Sequence, residues 1–130
     1  MKTITIWKGD HRFQSEHDGN FIEVDGDKKK GHGPKALLLS GLAGCSGIDV
    51  VDILEKMRVE FSDFSMETAA EQTKDNPKVF TGVEITYRIK TDPSNADKVK
   101  KAIELSLEKY CGVAAMLRKN SPVNYQLVIL

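Results

Sequence analysis

The sequence predicts an α+β fold with the element order βββ-α-ββ-α-(α)-β, because strand-like and helix-like periodicities follow one another along its 130 residues. Alternating apolar and polar residues at the start indicate strands. A long apolar helical pattern occupies the centre, and alternating strands, a capped helix and a last strand follow it. A chain of this length buries a core without disulfides or metals, so we expect residues 1–130 to form one domain.

The N-terminal segment is expected to form three short antiparallel strands. Ile4 and Ile6 alternate with threonines, and turn residues around Gly9 and Gly19 separate the strands. The lysine run at 28–30 then indicates a solvated turn, with phosphate binding as the alternative. The predicted strands cover residues 3–7, 12–15 and 21–24.

A helix is predicted from Lys35 to Arg58 and is opened by Gly33-Pro34, since proline suits the first helical turn. Its first half has little polar surface, so we expect that half to be buried nearly all round; its leucines are Leu37, Leu38, Leu39 and Leu42. No apolar run is expected to reach membrane-spanning length. A helix this apolar is expected to pack on a partner chain, which gives an obligate symmetric homodimer.

Three glycines recur at every third position of this helix, at Gly41, Gly44 and Gly47. Each costs a helix about 1 kcal/mol relative to alanine, so their presence needs a reason. Close approach of a second backbone is the first explanation, and a helix broken at this point is the alternative.

The second half of the chain is predicted to hold a strand pair, a helix and a last strand. A turn at 74–77 joins the two strands, and residues 92–95 supply a helix cap. The helix is expected to end at Cys111, with a further short helical turn over 113–117. The apolar positions are Val83, Ile85, Tyr87 and Ile89 in one strand, Val123, Tyr125, Leu127 and Ile129 in the last strand, and Val99, Ala102, Ile103, Ser106 and Tyr110 along the helix.

Composition and charge argue against several classes of protein. Lysine plus arginine and aspartate plus glutamate both number 19, which argues against nucleic acid as the main partner. The N-terminal residues show no signal-peptide pattern and two cysteines are too few for a disulfide scaffold, so we expect a cytoplasmic protein without a membrane partner. Those cysteines and the three histidines lack the close spacing of zinc ligands, so no metal and no cofactor is expected.

Cys45 and Cys111 lie in similar local contexts, each at a helix-like apolar run with glycine nearby. In an electropositive pocket a thiol becomes a thiolate nucleophile, and a second thiol traps its oxidised product. The other interpretation is that both cysteines are buried and act as small hydrophobic residues, as most free cysteines do. The pattern leaves both interpretations open.

Several motifs strengthen the first interpretation when they are taken together. They are Gly33-Pro34 opening the apolar helix, Ala43-Gly44-Cys45 with Asp49 one turn on, Lys56-Met57-Arg58 at the helix end, and Leu105-Ser106-x-Glu108-Lys109-Tyr110-Cys111. With the order of elements, these motifs resemble the OsmC/Ohr family of osmotically inducible and organic-hydroperoxide-resistance proteins, and most closely its OsmC-like subgroup. The resemblance covers nearly the whole chain.

The resemblance implies an OsmC-like fold assembled as an intertwined homodimer, with active sites at the subunit interface and thiol-dependent reduction of organic hydroperoxides. It makes Cys45 the peroxidatic cysteine and Cys111 the resolving cysteine. Cys45 would attack the peroxide and become a sulfenic acid, Cys111 would close a disulfide, and an external dithiol would reopen it. The disulfide requires the two α-carbons to approach within roughly 7 Å.

Peroxidases of this family surround the reactive thiol with an arginine and a glutamate. Arg12, the only arginine ahead of Cys45, is the candidate arginine by position, and a surface strand residue is the alternative. Lys35 stands where the family has the glutamate, and across a dimer its charge would favour the thiolate. Asp49 would raise the thiol pKa unless a lysine, an arginine or a backbone amide holds it. His32 is a candidate for the interfacial pocket, with an exposed loop position as the alternative.

The sequence therefore predicts a thiol peroxidase that uses Cys45 and Cys111. The alternative is an OsmC-like dimer without peroxidase turnover, which would bind an apolar small molecule or act as a thiol redox sensor. The pair of cysteines favours the enzyme, whereas Lys35 favours the binding protein.

Overall fold

The computed structural model describes all residues from 1 to 130. Its element order confirms the predicted α+β fold: β1 Ile4–Gly9, β2 Arg12–His17, β3 Asn20–Asp25, α1 Pro34–Lys56, β4 Phe61–Gln72, β5 Phe80–Thr91, α2 Ala96–Leu105, α3 Gly112–Arg118 and β6 Val123–Ile129. The chain divides into two compact units, residues 1–38 and 39–130. A single domain over residues 1–130 stays a prediction.

The first unit is built on an antiparallel sheet in the order β1-β2-β3, as predicted. Gly9 and Gly19 adopt φ angles of 106° and 80°, so these turns suit glycine. Trp7 pairs with Phe13 across the strands. Ile22 pairs with Ser15, two positions after Phe13, so Ile22 lies on the same face of the sheet as Trp7. Trp7 is 64% exposed and Ile22 is 53% exposed, so this face is apolar and open in the single chain.

The lysine run after β3 forms a turn, as predicted, and this turn is built around the Asp25 carboxylate. Asp25 is buried, and its side chain accepts the backbone N–H groups of Asp27 at 2.9 Å, Lys29 at 3.2 Å and Lys30 at 3.0 Å. The amide of Asp27 and then those of Lys30 and Lys29 hold the pKa of Asp25 below its usual value, against the effect of its burial. These amides, which a bound phosphate would need, are already used by Asp25.

The second unit holds a three-stranded sheet in the order β4-β5-β6. β4 and β5 pair antiparallel, whereas β6 runs parallel to β5, as a strand that follows a helical crossover can. β5 is the central strand, and the predicted alternation is confirmed because its inward residues are buried. The core that they share with α1 and α2 contains Leu42, Val50, Leu54, Val83, Ile85, Tyr87, Ile89, Val99, Ala102 and Ile103.

α1 is continuous through its glycines, so a helix broken at that point is wrong. A Cβ at Gly41 or Gly44 would meet nothing within 4 Å, and one at Gly47 would meet the Met66 side chain at 2.7 Å. No second backbone therefore approaches these glycines within the single chain. The first half of α1 is also less buried than predicted, since Leu38 is 49% exposed. Its apolar surface extends farther around the helix than one chain covers.

The length of α1 corrects one expectation. This helix of 23 residues reaches a mean hydropathy of 1.7, so by length and composition it is able to cross a membrane. Its glycines and serines are nearly neutral in hydropathy, which is why the interrupted leucine run still reaches that value. Core helices of proteins outside membranes pass the same test. Val50 and Leu54 are fully buried in the core of the second unit, as expected of a core helix.

The connection between α2 and α3 differs from the predicted single helix. α2 ends at Leu105, and Ser106–Tyr110 forms one π-helical turn. The Cys111 N–H donates to the Ser106 carbonyl at 2.7 Å, which closes this wider turn. The predicted apolar stripe ends here, because Ser106 is buried whereas Tyr110 is 55% exposed.

Candidate thiol site

The structure brings the two cysteines together within the second unit. Cys45 lies in the middle of α1 and is partly buried, and Cys111 is 3% exposed at the start of α3. The Cys45 thiol lies close enough to the Cys111 sulfur to raise its pKa, and both cysteines are unbridged. The Cys45–Cys111 pairing that the family resemblance implied stays a prediction.

The Cys111 sulfur is held in a dry and anionic environment. Burial, with smaller effects of the neighbouring Cys45 thiol and the Asp49 carboxylate, raises its pKa to about 11. The backbone N–H of Ala114 opposes this effect by donating to the Cys111 sulfur at 3.4 Å, which also caps α3. At neutral pH Cys111 is accordingly a protonated thiol.

Three buried hydroxyl groups lie directly beside the cysteines. Ser46, the residue after Cys45, shares a hydrogen bond of 2.6 Å with the hydroxyl of Tyr87 on β5. The hydroxyl of Ser106 lies 2.9 Å from that of Ser46 and also donates to the carboxylate of Asp49 at 3.0 Å. We call Ser46, Tyr87, Ser106 and Asp49 the hydroxyl chain.

The partner of Asp49 differs from the expected one. A lysine, an arginine or a backbone amide was predicted to hold this carboxylate, but it accepts from the Ser106 hydroxyl. The charge of Asp49 also acts on Tyr87, whose pKa is about 12, mainly because it is buried. Asp49 thus adds negative charge near the Cys111 thiol, and the Ser106 hydroxyl links this carboxylate to Ser46.

The remaining candidates, Arg12, His32 and Lys35, lie in the first unit. Arg12 is on β2, where its guanidinium donates to the Lys8 carbonyl at 3.4 Å. The backbone carbonyl of His32 accepts from the Asp25 N–H at 3.0 Å. Lys35 is exposed in the first turn of α1. Their assignment to the thiol site stays a prediction.

Sequence reasoning missed the hydroxyl chain. Ser106 appeared only on the predicted helical stripe and in a family motif, and Tyr87 only as a core position of its strand. Ser46, a polar residue beside Cys45 in an apolar helix, was the one signal available. Its partners are distant in sequence, so no local pattern identifies them.

The chain matches the family model described as "OsmC-like protein" over residues 26–126, which include both cysteines and the whole hydroxyl chain. The chain belongs to the OsmC-like family. A curated relative, Protein YhfA of Escherichia coli (strain K12), is 34% identical over 113 residues, which are 85% of this chain and 84% of YhfA.

Solved structures of similar proteins share the fold of this OsmC-like chain. A hypothetical protein from Aquifex aeolicus VF5 is 26% identical with a TM-score of 0.84, covering 99% of this chain and 96% of the other. The organic hydroperoxide resistance protein OhrB of Bacillus subtilis is 20% identical with a TM-score of 0.65, covering 98% and 96%. The likeness to OhrB shows a common fold.

Proposed function

We propose that this protein is a cytoplasmic thiol peroxidase that reduces organic hydroperoxides with Cys45 and Cys111. The observation that carries the proposal is that the Cys45 thiol is a close neighbour of Cys111 in the second unit. Membership of the OsmC-like family and the fold shared with an organic hydroperoxide resistance protein support the substrate class.

The proposed reaction has three balanced steps. The Cys45 thiolate attacks one peroxide oxygen, the O–O bond breaks, and the other oxygen leaves with a proton as the alcohol. The Cys111 sulfur then displaces the hydroxyl of the Cys45 sulfenic acid, so that an S–S bond replaces the S–O bond and water leaves with the proton of Cys111. An external dithiol reduces this disulfide and is itself oxidised.

The environments of the two thiols support different roles for them. Cys111, with a pKa of about 11, is a poor nucleophile toward peroxide at neutral pH and suits the resolving role. Cys45 is the more accessible of the two, since its side chain is only partly buried. We therefore assign the attack on peroxide to Cys45.

An apolar groove along α1, beginning at Gly47, supports an organic substrate. Ile48, one helical turn after Cys45, is 65% exposed and lines this groove with Met66 and Phe64. The groove has a volume of about 360 Å³ and opens along α1 and β4. An alkyl or acyl chain bound there would leave its peroxide group near the middle of α1.

We also propose that the active protein is a homodimer. Leu38 and Ile48 are exposed on α1, and Trp7 and Ile22 are exposed on the first sheet. Isolated soluble chains rarely leave this much apolar surface open. The candidate residues Arg12, His32 and Lys35 are proposed to complete the site in that assembly.

Hydroperoxide consumption tests the proposal directly. With dithiothreitol or a lipoylated protein as reductant, the reduced protein is expected to consume cumene or fatty-acid hydroperoxides. Cys45→Ser should reduce turnover to the background rate because the nucleophile is removed. Cys111→Ser should retain the first oxidation of Cys45 but lose the intramolecular disulfide. Absence of turnover with every hydroperoxide, or unchanged turnover in Cys45→Ser, would contradict the proposal.

A second candidate is an OsmC-like dimer without turnover that binds an apolar molecule or senses oxidants. Two observations favour it: Lys35 replaces the glutamate of the family's peroxidases, and Asp49 adds negative charge beside the thiols. Thiol titration before and after one equivalent of cumene hydroperoxide separates the candidates. Loss of both thiols without sustained turnover identifies a sensor, and inert thiols identify a binding protein.

A further inference from the structure

The hydroxyl chain joins the two segments that carry the cysteines. Ser46 is adjacent to Cys45 in α1, and Ser106 begins the π-helical turn that ends at Cys111. The bond of 2.9 Å between the two serine hydroxyls is therefore a direct connection between the cysteine-bearing segments. Both serines have a relative exposure of 0%, so water does not compete for this bond.

Ser106 contacts the α1 segment through its hydroxyl and the Cys111 segment through its backbone carbonyl. Its hydroxyl lies within hydrogen-bonding distance of the Ser46 hydroxyl, at 2.9 Å, and of the Asp49 carboxylate, at 3.0 Å. Its carbonyl accepts the Cys111 N–H at 2.7 Å. The position of the Cys111 backbone thus depends on where the Ser106 side chain is held on α1.

The hydrogen bonds within the hydroxyl chain leave none of its four side chains unpaired. The Ser106 hydroxyl shares its one proton between the Ser46 hydroxyl and the Asp49 carboxylate, and the Ser46 and Tyr87 hydroxyls share a further hydrogen bond. Every buried side-chain polar atom of the molecule has a hydrogen-bond partner. A fully satisfied buried network of this kind holds its members in one arrangement.

We propose that Ser106 is the positioning residue for the resolving cysteine, because its hydroxyl anchors the Cys111 turn to the α1 segment that carries Cys45. The inference rests on the proposed peroxidase function, in which Cys111 must meet the Cys45 sulfenic acid. In that step the Cys111 sulfur forms the S–S bond, the S–O bond of Cys45 breaks, and the Cys111 proton leaves with the hydroxide as water. Ser106 acts on this step alone, since the attack of Cys45 on peroxide does not involve Cys111.

The first experiment measures the two steps separately in Ser106→Ala. After one equivalent of cumene hydroperoxide, Cys45 sulfenic acid is trapped with dimedone, and the disulfide is quantified by mass spectrometry. The rate of Cys45 oxidation should match that of the wild type. Disulfide closure should slow on the order of tenfold or more, because a small misplacement of reacting groups is costly. Excess hydroperoxide should then convert more Cys45 to sulfinic acid.

Two further variants separate positioning from a general loss of packing. Ser121→Ala makes the same change at another buried serine of the second unit and should close the disulfide at the wild-type rate. Ser106→Thr keeps a hydroxyl and should restore most of the closure rate. Equal slowing in Ser121→Ala, or wild-type closure in Ser106→Ala, would overturn the positioning role.

A glutathione redox buffer tests the same role without peroxide. The equilibrium between the Cys45–Cys111 dithiol and its disulfide measures how well the sulfurs are placed, and Ser106→Ala should shift it toward the dithiol by on the order of tenfold. If this shift occurs while the wild type consumes no hydroperoxide, the proposed function is wrong and the positioning role holds. If the wild type turns over hydroperoxide and Ser106→Ala shows no shift of this equilibrium, the peroxidase function holds and the positioning role is wrong.

The test does not depend on the folding of one variant. Should Ser106→Ala fail to fold, Ser46→Ala and Tyr87→Phe each remove one hydroxyl from the chain without adding volume. Slower disulfide closure in both supports the positioning role, and wild-type closure in either overturns it.

Discussion

At the scale of single residues, Asp49 determines the charge around the thiols. Its carboxylate raises the pKa of Cys111 and that of Tyr87, although burial is the larger cause for both. A negative charge in this place disfavours the thiolate form of Cys111. Burial and the Asp49 charge together keep the Cys111 thiol protonated at neutral pH.

Replacement of this charge gives a prediction for the pKa of Cys111. Asp49→Asn should lower that pKa from about 11, because one of the effects that raise it is removed while burial remains. NMR titration of the Cys111 ¹³Cβ resonance measures the change. Asp52→Asn, an exposed position on the same helix, is the matched control and should leave the titration unchanged. An unaltered pKa in Asp49→Asn would show that its charge does not act on Cys111.

At the scale of elements, periodicity was sufficient to predict the order of strands and helices, because each strand of the core alternates locally. The buried positions of β5 illustrate this, since every second residue from Val83 to Ile89 is buried. The parallel pairing of β6 and the π-helical turn before Cys111 depend on contacts between distant segments, so no local pattern predicts them. The same limit applies to Ser46 and Ser106, which meet only in the folded chain.

Two glycines near the start of α1 provide a prediction for the loop after β3. A Cβ at Gly31 would lie 2.5 Å from the Glu23 carbonyl oxygen, whereas a Cβ at Gly33 would meet only the Lys28 side chain at 3.6 Å. Gly31→Ala should therefore lower the free energy of unfolding by about 1–3 kcal/mol, as overpacking against backbone does. Gly33→Ala should be nearly neutral. Urea unfolding of both variants measures the difference, and equal stabilities would contradict the close contact at Gly31.

At the scale of the whole molecule, exposed apolar residues occur in both compact units. Trp7 on the first sheet and Ile48 on α1 are 64% and 65% exposed. In a monomer these side chains would stay in water. Association that buries them would stabilise the protein by about 25 cal/mol for each Å² of apolar surface removed from water. The proposed dimer would gain this stabilisation.

Light scattering tests the proposed assembly. The native mass should be twice the 14.5 kDa of the chain, and Trp7→Lys combined with Ile22→Lys should shift the protein toward monomer, because each lysine would bring an unpaired charge into the interface. Val79→Lys changes an exposed apolar residue of the second unit that lies in a loop, and it should leave the mass unchanged. A wild-type protein with the mass of one chain would contradict the dimer.

Alkaline pH should destabilise the reduced protein. The folded pKa of Cys111 is raised from 9.0 to about 11, and those of Tyr87 and Tyr125 are raised from 10.0 to about 12. A raised pKa contributes stability that is complete below the unfolded value and is lost as the pH rises through the folded value. The free energy of unfolding should therefore fall between pH 9 and 12, and Tyr87→Phe should remove part of the fall above pH 10. Urea titrations at several pH values measure this dependence.

The sulfur of Cys111 also serves as the cap of α3, because it accepts the Ala114 N–H at 3.4 Å. A covalent bond formed by that sulfur, such as a disulfide, changes how well it accepts this hydrogen bond. The stability of the first turn of α3 then changes as well. Deuterium uptake at Ala114 therefore provides an internal gauge of the oxidation state of this thiol, readable in the unlabelled native protein without an added dye.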